Sequence, residues 1–122
     1  MKYLCLVVID EKKLAALSAS ESQSLDDESL AYDDTLRHGG HLIAAQALEL
    51  SCSAATVRVQ PNGKVLVTDG PFAETKEQVG GFILIEARDM DEAIQLASKI
   101  PVARLAAIEV RPIKELTHST AK

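Results

Sequence analysis

Two residues of unlike type stand at the ends of hydrophobic runs where proton-transfer chemistry can be built: His41, which opens "HLIAAQAL", and Asp69, which closes "KVLVTD". A neutral imidazole, with an ordinary pKa of about 6.5, takes a proton near neutral pH, and a carboxylate can orient the ring or stabilise its charged form. Asp69 is in phase with Val65 and Val67, so a regular pleat aims its carboxylate to the side those valines occupy. His41 follows Gly39 and Gly40 and is in phase with Ile43 and Ala45, at a strand end that can present an imidazole at a cavity mouth. Such a pair suits isomerisation, elimination or lyase steps on a small organic acid or ring compound.

Each of these residues also has a purely structural reading. Gly70 supplies backbone freedom, Pro71 fixes φ and lacks a donor, and aspartate commonly bonds the backbone two residues on, so "DGP" is complete as a turn. His41 is equally an ordinary strand-end histidine, and His38, in the last turn of a predicted helix, complements its dipole. In "FAETKEQ", Phe72 offers an apolar wall, Thr75 and Gln78 hydrogen bonds, and Lys76 a countercharge to an anionic ligand; with Lys76 between Glu74 and Glu77, the same segment is also a solvated loop. Glu86, Glu109 and Arg111 lie within or at the ends of apolar runs, as strand-end charges in solvent or as polar groups converging on a pocket. The sequence carries no Gly-rich phosphate loop, nucleophile elbow or metal-ligand spacing, so neither a metal nor a cofactor is expected.

The chain that must position these groups has 122 residues, one domain's worth, and can bury roughly two thirds of its unfolded surface. Lys and Arg total 13 against 18 Asp and Glu, a net charge of -5 that repels a phosphate backbone, and only Tyr3, Tyr32, Phe72 and Phe82 are aromatic. Direct nucleic-acid binding is not expected on either count. Cys5, in an apolar run, and Cys52, in a Ser-rich connection, read as two unpaired thiols in a reducing compartment. The opening "MKYLCLVVID" reads as a strand and not a signal segment, and no run approaches the ~18 apolar residues of a membrane span. A soluble, cytoplasmic protein is expected.

Along the chain, 3–9 reads as a strand apolar on both faces, followed by a polar connection with one helical turn near Leu14–Leu17 and a helix from about Ser22 to His38 stopped by Gly39 and Gly40. "HLIAAQAL" is a second strand, and "TVRVQPNGKVLVTD" a hairpin turning at Pro61, Asn62 and Gly63. A ten-residue charged loop then leads to a fifth strand from Phe82 to Ala87, a helix in "DMDEAIQLASKIP" with Asp89 and Glu92 as a capping pair, and a last strand in "AAIEVRPI". This order predicts an α+β fold of ferredoxin-like sandwich type, with two helices on one face of an antiparallel sheet. The strands apolar on both faces then leave one sheet face bare, which a second copy packed sheet to sheet would hide.

"DGPFAETKEQVGGFILIEARDMDEA", with the opening "MKYLCLV" and the ending "EVRPI", resembles the YCII-related, DGPF-domain family of small bacterial proteins, over a single domain of residues 1–115. Residues 116–122, with His118, are left as a disordered tail without a role. The resemblance implies a ferredoxin-like subunit that forms a homodimeric α/β barrel, and an enzyme whose site uses a histidine and an aspartate. Asp69 matches the motif position, while the histidine is fixed by no motif and is assigned to His41 by its place at a strand start. Gly70, Pro71, Phe72, Thr75, Lys76 and Arg111 complete the expected site for a small-molecule ligand. The family also supplies an alternative, a non-catalytic ligand-binding or regulatory module associated with sigma-factor-type transcription regulators.

Overall fold

The computed structural model describes residues 1–119; the end of the expected tail, residues 120–122, lies outside the described residues. The chain runs β1 (Lys2–Asp10), α1 (Glu11–Ala15), α2 (Ala19–His38), β2 (Leu42–Ala47), β3 (Ala55–Val59), β4 (Val65–Asp69), β5 (Glu77–Glu86), α3 (Met90–Ala97) and β6 (Ala106–Pro112), with 3-10 turns at Ser51–Ser53 and Pro101–Arg104. Four strands form an antiparallel sheet in the order β2-β5-β1-β6, and β3 pairs with β4 as a separate two-stranded ribbon. The fold is α+β and ferredoxin-like, with the ribbon inserted between β2 and β5.

The helices start where their caps dictate. Asp10, buried at the end of β1, accepts from the Lys12 amide at 3.0 Å and turns the chain into α1. Ser18 and Glu21 form a reciprocal capping box, 3.1 and 2.9 Å, so α2 begins a turn before the Ser22 expected from its apolar spacing. Gly40, at φ +79, ends it as expected. In α3, Asp89 caps the Glu92 amide at 2.9 Å, while the Glu92 carboxylate reaches back to the Arg88 amide at 2.8 Å. The helix ends at Ala97, before the Ile100 expected from its stripe.

The odd residues of β1, Tyr3, Cys5 and Val7, turn to the helices with Ile83 and Ile85 of β5, and Leu36, Ala93, Ala97 and Ile100 close over them. A bulge near Val7 and Val8 admits Gly80 into β5. Strand β5 starts at Glu77, five residues before the expected Phe82, because ladder bonds depend on backbone and not on side-chain polarity: Glu77 pairs with Asp10 and Gln78 with Ile9. The irregular segment after Asp69 is therefore residues 70–76, not the ten expected. Among the described residues, no helix is long and apolar enough to cross a membrane.

Candidate functional site

Helix α2 and the sheet do not meet along their whole length. Between them lies a cavity of about 700 Å³, floored by Val7, Ile9 and Ile83 of the sheet, with Leu25 of α2 above them and Pro101 and Val102 also in its lining. One wall is polar. Ser22, Asp26, Ser29 and Asp33 all line it, at the spacing of four, three and four residues that places side chains on one face of a helix. Gln46, at the end of β2, adds an amide to the same space.

Two details of this wall bear on chemistry. Burial, against the opposing pull of Arg37 and with a smaller push from Asp34, raises the Asp33 carboxyl above the usual aspartate range. Tyr32, its neighbour in the lining, sends its hydroxyl across to the Leu96 carbonyl at 2.6 Å and so fixes how far α2 stands from α3. The lip is tied separately: Glu11 accepts from the Ser51 amide at 2.7 Å and from its hydroxyl at 2.6 Å. An apolar chamber with a few convergent polar groups and one carboxyl of raised pKa is the arrangement in which a small ring compound is held and a proton moved.

None of the residues singled out from the sequence lines this cavity. His41, half-buried just before β2, is fixed beside the end of β5, its Nδ1 2.8 Å from the Glu86 carbonyl oxygen while the Glu86 amide donates to the His41 carbonyl at 2.8 Å. Arg111, on β6 opposite Leu4, stands near the same end of the sheet, exposed and 3.9 Å from Glu109. Asp69 is the exposed last residue of β4, opposite Ala55 in the ribbon that joins the sheet at the start of β5.

The turn residues gather around Asp69. Gly70, at φ +99 in the left-handed region, donates its amide to the Ala54 carbonyl at 2.7 Å and accepts from the Thr56 hydroxyl at 2.9 Å. Pro71 is half-buried; Phe72 is 75% exposed, with the Arg58 guanidinium 5.0 Å from its ring centre. Gln78 donates to the Ala73 carbonyl at 2.9 Å and the Thr75 carbonyl at 3.2 Å, and Lys76 is exposed. The structure thus makes one corner of residues 69–75 and places His41 and Arg111 elsewhere; His41 and Asp69 of one chain are not hydrogen-bonded to each other.

The fold and the chamber define a class: small ferredoxin-like α+β proteins with a cavity between helix layer and sheet. Within it, the chain belongs to the YCII-related domain family, whose model matches residues 1–117. It is 36% identical over 115 residues, 93% of this chain and 92% of the relative, to an uncharacterised protein of Rhizobium meliloti (strain 1021). Among solved structures it is similar to the 5-chloro-2-hydroxyhydroquinone dehydrochlorinase of Burkholderia phenoliruptrix AC1100 in complex with 2,5-dihydroxybenzoquinone. That match has a TM-score of 0.55 and 18% identity and covers 93% of this chain and 94% of the other, a likeness of fold alone.

Proposed function

We propose that this protein is a small cytoplasmic acid/base enzyme of lyase or isomerase type that acts on a hydroxylated ring compound or small organic acid, as a homodimer whose sheets close an α/β barrel. The observation that carries the reading is the cavity under α2, where Asp33 and an apolar floor line a space of about 700 Å³, within the range of small-molecule sites. The ligand class is supported by the dehydrochlorinase of like fold, whose bound molecule is a dihydroxylated quinone.

In an elimination, Asp33 as carboxylate takes the proton from one ring position, the electrons of that bond form the new double bond, and the leaving group departs from the neighbouring position with its own pair. The step is redox-neutral and calls for no electron carrier. A carboxylate whose charged form is disfavoured by burial is a stronger base than one in water. Ser22, Ser29 and Gln46, which line the same space, supply hydrogen-bonding groups for the ring's oxygens in this reading. Thermal shift and turnover assays with 2,5-dihydroxybenzoquinone and chlorinated hydroxyhydroquinones test this. Asp33→Asn is expected to keep the ligand-induced shift and lose about a hundredfold or more in turnover; no shift with the wild type, or full turnover by the variant, would sink the reading. A shift without turnover in the wild type would mark a ligand-binding module instead.

A second reading rests on His41. A carbonyl oxygen only accepts, so the bond to Glu86 puts the ring hydrogen on Nδ1 and leaves Nε2 of the neutral imidazole with a free lone pair, the form of a general base. In this reading Asp69 supplies the carboxylate, and Gly70, Pro71, Phe72, Thr75, Lys76 and Arg111 bind the ligand. His41→Ala separates the two: it abolishes turnover if His41 is the base and leaves it intact if Asp33 is.

A further inference from the structure

Among the described residues, two apolar surfaces lie outside the core. The first is the side of the sheet turned away from the helices, where Leu4, Leu6 and Val8 of β1 stand beside Phe82 and Leu84 of β5, all outside the core and outside the residues packed against it. The second is one face of the β3-β4 ribbon. Val57 pairs with Val67 and Val59 with Val65, so the four share a face, and they are 60%, 64%, 67% and 56% exposed. Asp69, opposite Ala55, lies on that face and is its only charged group.

A two-stranded ribbon alone is marginal in water, and one that shows four valines to solvent has lost the apolar burial that would hold it. Its own sheet does not receive it. The ribbon joins the sheet at the start of β5, through residues 70–76 on one side and Leu48 to Ala54 on the other, with Leu48 bonded to Gly80 at 2.9 Å and Ser51 to Glu11. His41 and Arg111 stand at the opposite end, beside Glu86 and opposite Leu4, and Gly81 to Glu86 of β5 spans about 17 Å between the two ends.

We infer that the valine face of the ribbon docks on the bare sheet face of a second copy, carrying Asp69 and the Gly70–Phe72 corner to the end of the sheet where the partner's His41 and the partner's Arg111 stand. One chain holds both halves of this contact, so a single twofold axis running across the strands satisfies each of them twice and leaves no open surface. The twofold reverses strand direction between copies, and so lays the ribbon end of one subunit over the His41 end of the other. Charge agrees with this placement. The lone carboxylate of the ribbon face meets Arg111, whose side chain is 69% exposed and has only a loose contact, 3.9 Å, with Glu109. The remaining charges at that end oppose each other, since Lys2 lies 4.0 Å from Glu115 and Glu86 is held by the Met1 amino group. The inference rests on the reading of His41 as base and gives it the carboxylate that its own chain does not bring.

Cross-linking reads the arrangement without any substrate. In a Cys52→Ser background, where Cys5 is buried, a tagged chain carrying Asp69→Cys is co-expressed with an untagged chain carrying Arg111→Cys and treated with a short bismaleimide. A covalent tagged–untagged pair is expected, far in excess of either chain linked to itself. Absence of that pair, cross-linking within a single chain that carries both cysteines, or a single-chain species in sedimentation of the wild type at micromolar concentration overturns the inference. A Val57→Lys, Val67→Lys double variant adds a test of the contact: it is expected to sediment as a folded single chain, and a stable dimer of it overturns the docking. The linkage is independent of chemistry, so an unchanged turnover in His41→Ala defeats the reading of the base and not the exchange of ribbons.

Discussion

The hydroxyl of Tyr32 in α2 donates to the carbonyl of Leu96 in α3 at 2.6 Å, the bond that ties the two helices across the core. The same side chain lines the cavity, so packing and binding share one residue. Tyr32→Phe keeps the ring and removes the donor, leaving a partly buried carbonyl with one partner fewer. A loss of about 1 kcal/mol in urea unfolding is expected, together with weaker ring-ligand shifts in thermal melts as α2 gains freedom against α3. Unchanged stability and unchanged shifts would show that the bond neither holds nor shapes the chamber.

Asp33 makes stability depend on pH in a stated direction. Because burial raises its folded pKa, the folded state holds the proton to higher pH than the unfolded chain does. Its contribution is therefore fully present below the ordinary aspartate range and is lost as pH rises from that range through the raised value. Asp33→Asn removes the loss: melting temperature is expected to exceed that of the wild type at neutral pH, with the gap closing in acid. Melts over a pH series decide it, and a gap that widens in acid would reverse the assignment.

The two thiols differ by position. Cys5 is 1% exposed, and burial pushes its pKa up to about 11; Cys52 is exposed. The thiolate is the reactive form. At neutral pH a chromogenic disulfide reagent is expected to titrate one thiol in the native protein and the second only in denaturant, and two fast equivalents without denaturant would contradict the packing of β1.

Gly81 of β5 pairs with Ala47 at the end of β2. A Cβ built there falls 2.8 Å from the Gln46 carbonyl oxygen and 3.3 Å from the Ala47 Cα, both backbone atoms that cannot swing aside. Gly81→Ala is expected to cost about 1–3 kcal/mol through overpacking. Since Gln46 and Ala47 also line the cavity, amide exchange should quicken first along β2, the edge of the sheet. Uniform quickening over the whole sheet would point to global destabilisation instead.

Alternation and end signals make much of this fold readable in the sequence. Val57 and Val59 against Thr56, Arg58 and Gln60 announced the ribbon, and Asp89 with Glu92 announced α3. The start of β5 was hidden because Glu77 and Gln78 look like loop residues, yet their backbones complete the ladder to Asp10 and Ile9. The chamber was hidden for a different reason. Ser22, Asp26, Ser29 and Asp33 do recur at helical spacing, but a polar stripe beside an apolar one reads as the solvent side of an amphipathic helix, and only the gap between α2 and the sheet shows that it faces a hollow. Chemistry and phase single out His41 and Asp69, but phase specifies only the face of a strand and says nothing of which end of the sheet each strand reaches.

The bond from the Gly70 amide to the Ala54 carbonyl, at 2.7 Å, brings the two stalks of the β3-β4 ribbon within one peptide's width of each other. All the ladder bonds of the ribbon are internal to it. The frame of four strands with α2 and α3 thus closes its own circuit without those fifteen or so residues. A spliced chain running from Ala54 straight into Gly70 removes none of the pairings of the main sheet, so the fold of one subunit is separable from the contact inferred for its ribbon with a second copy.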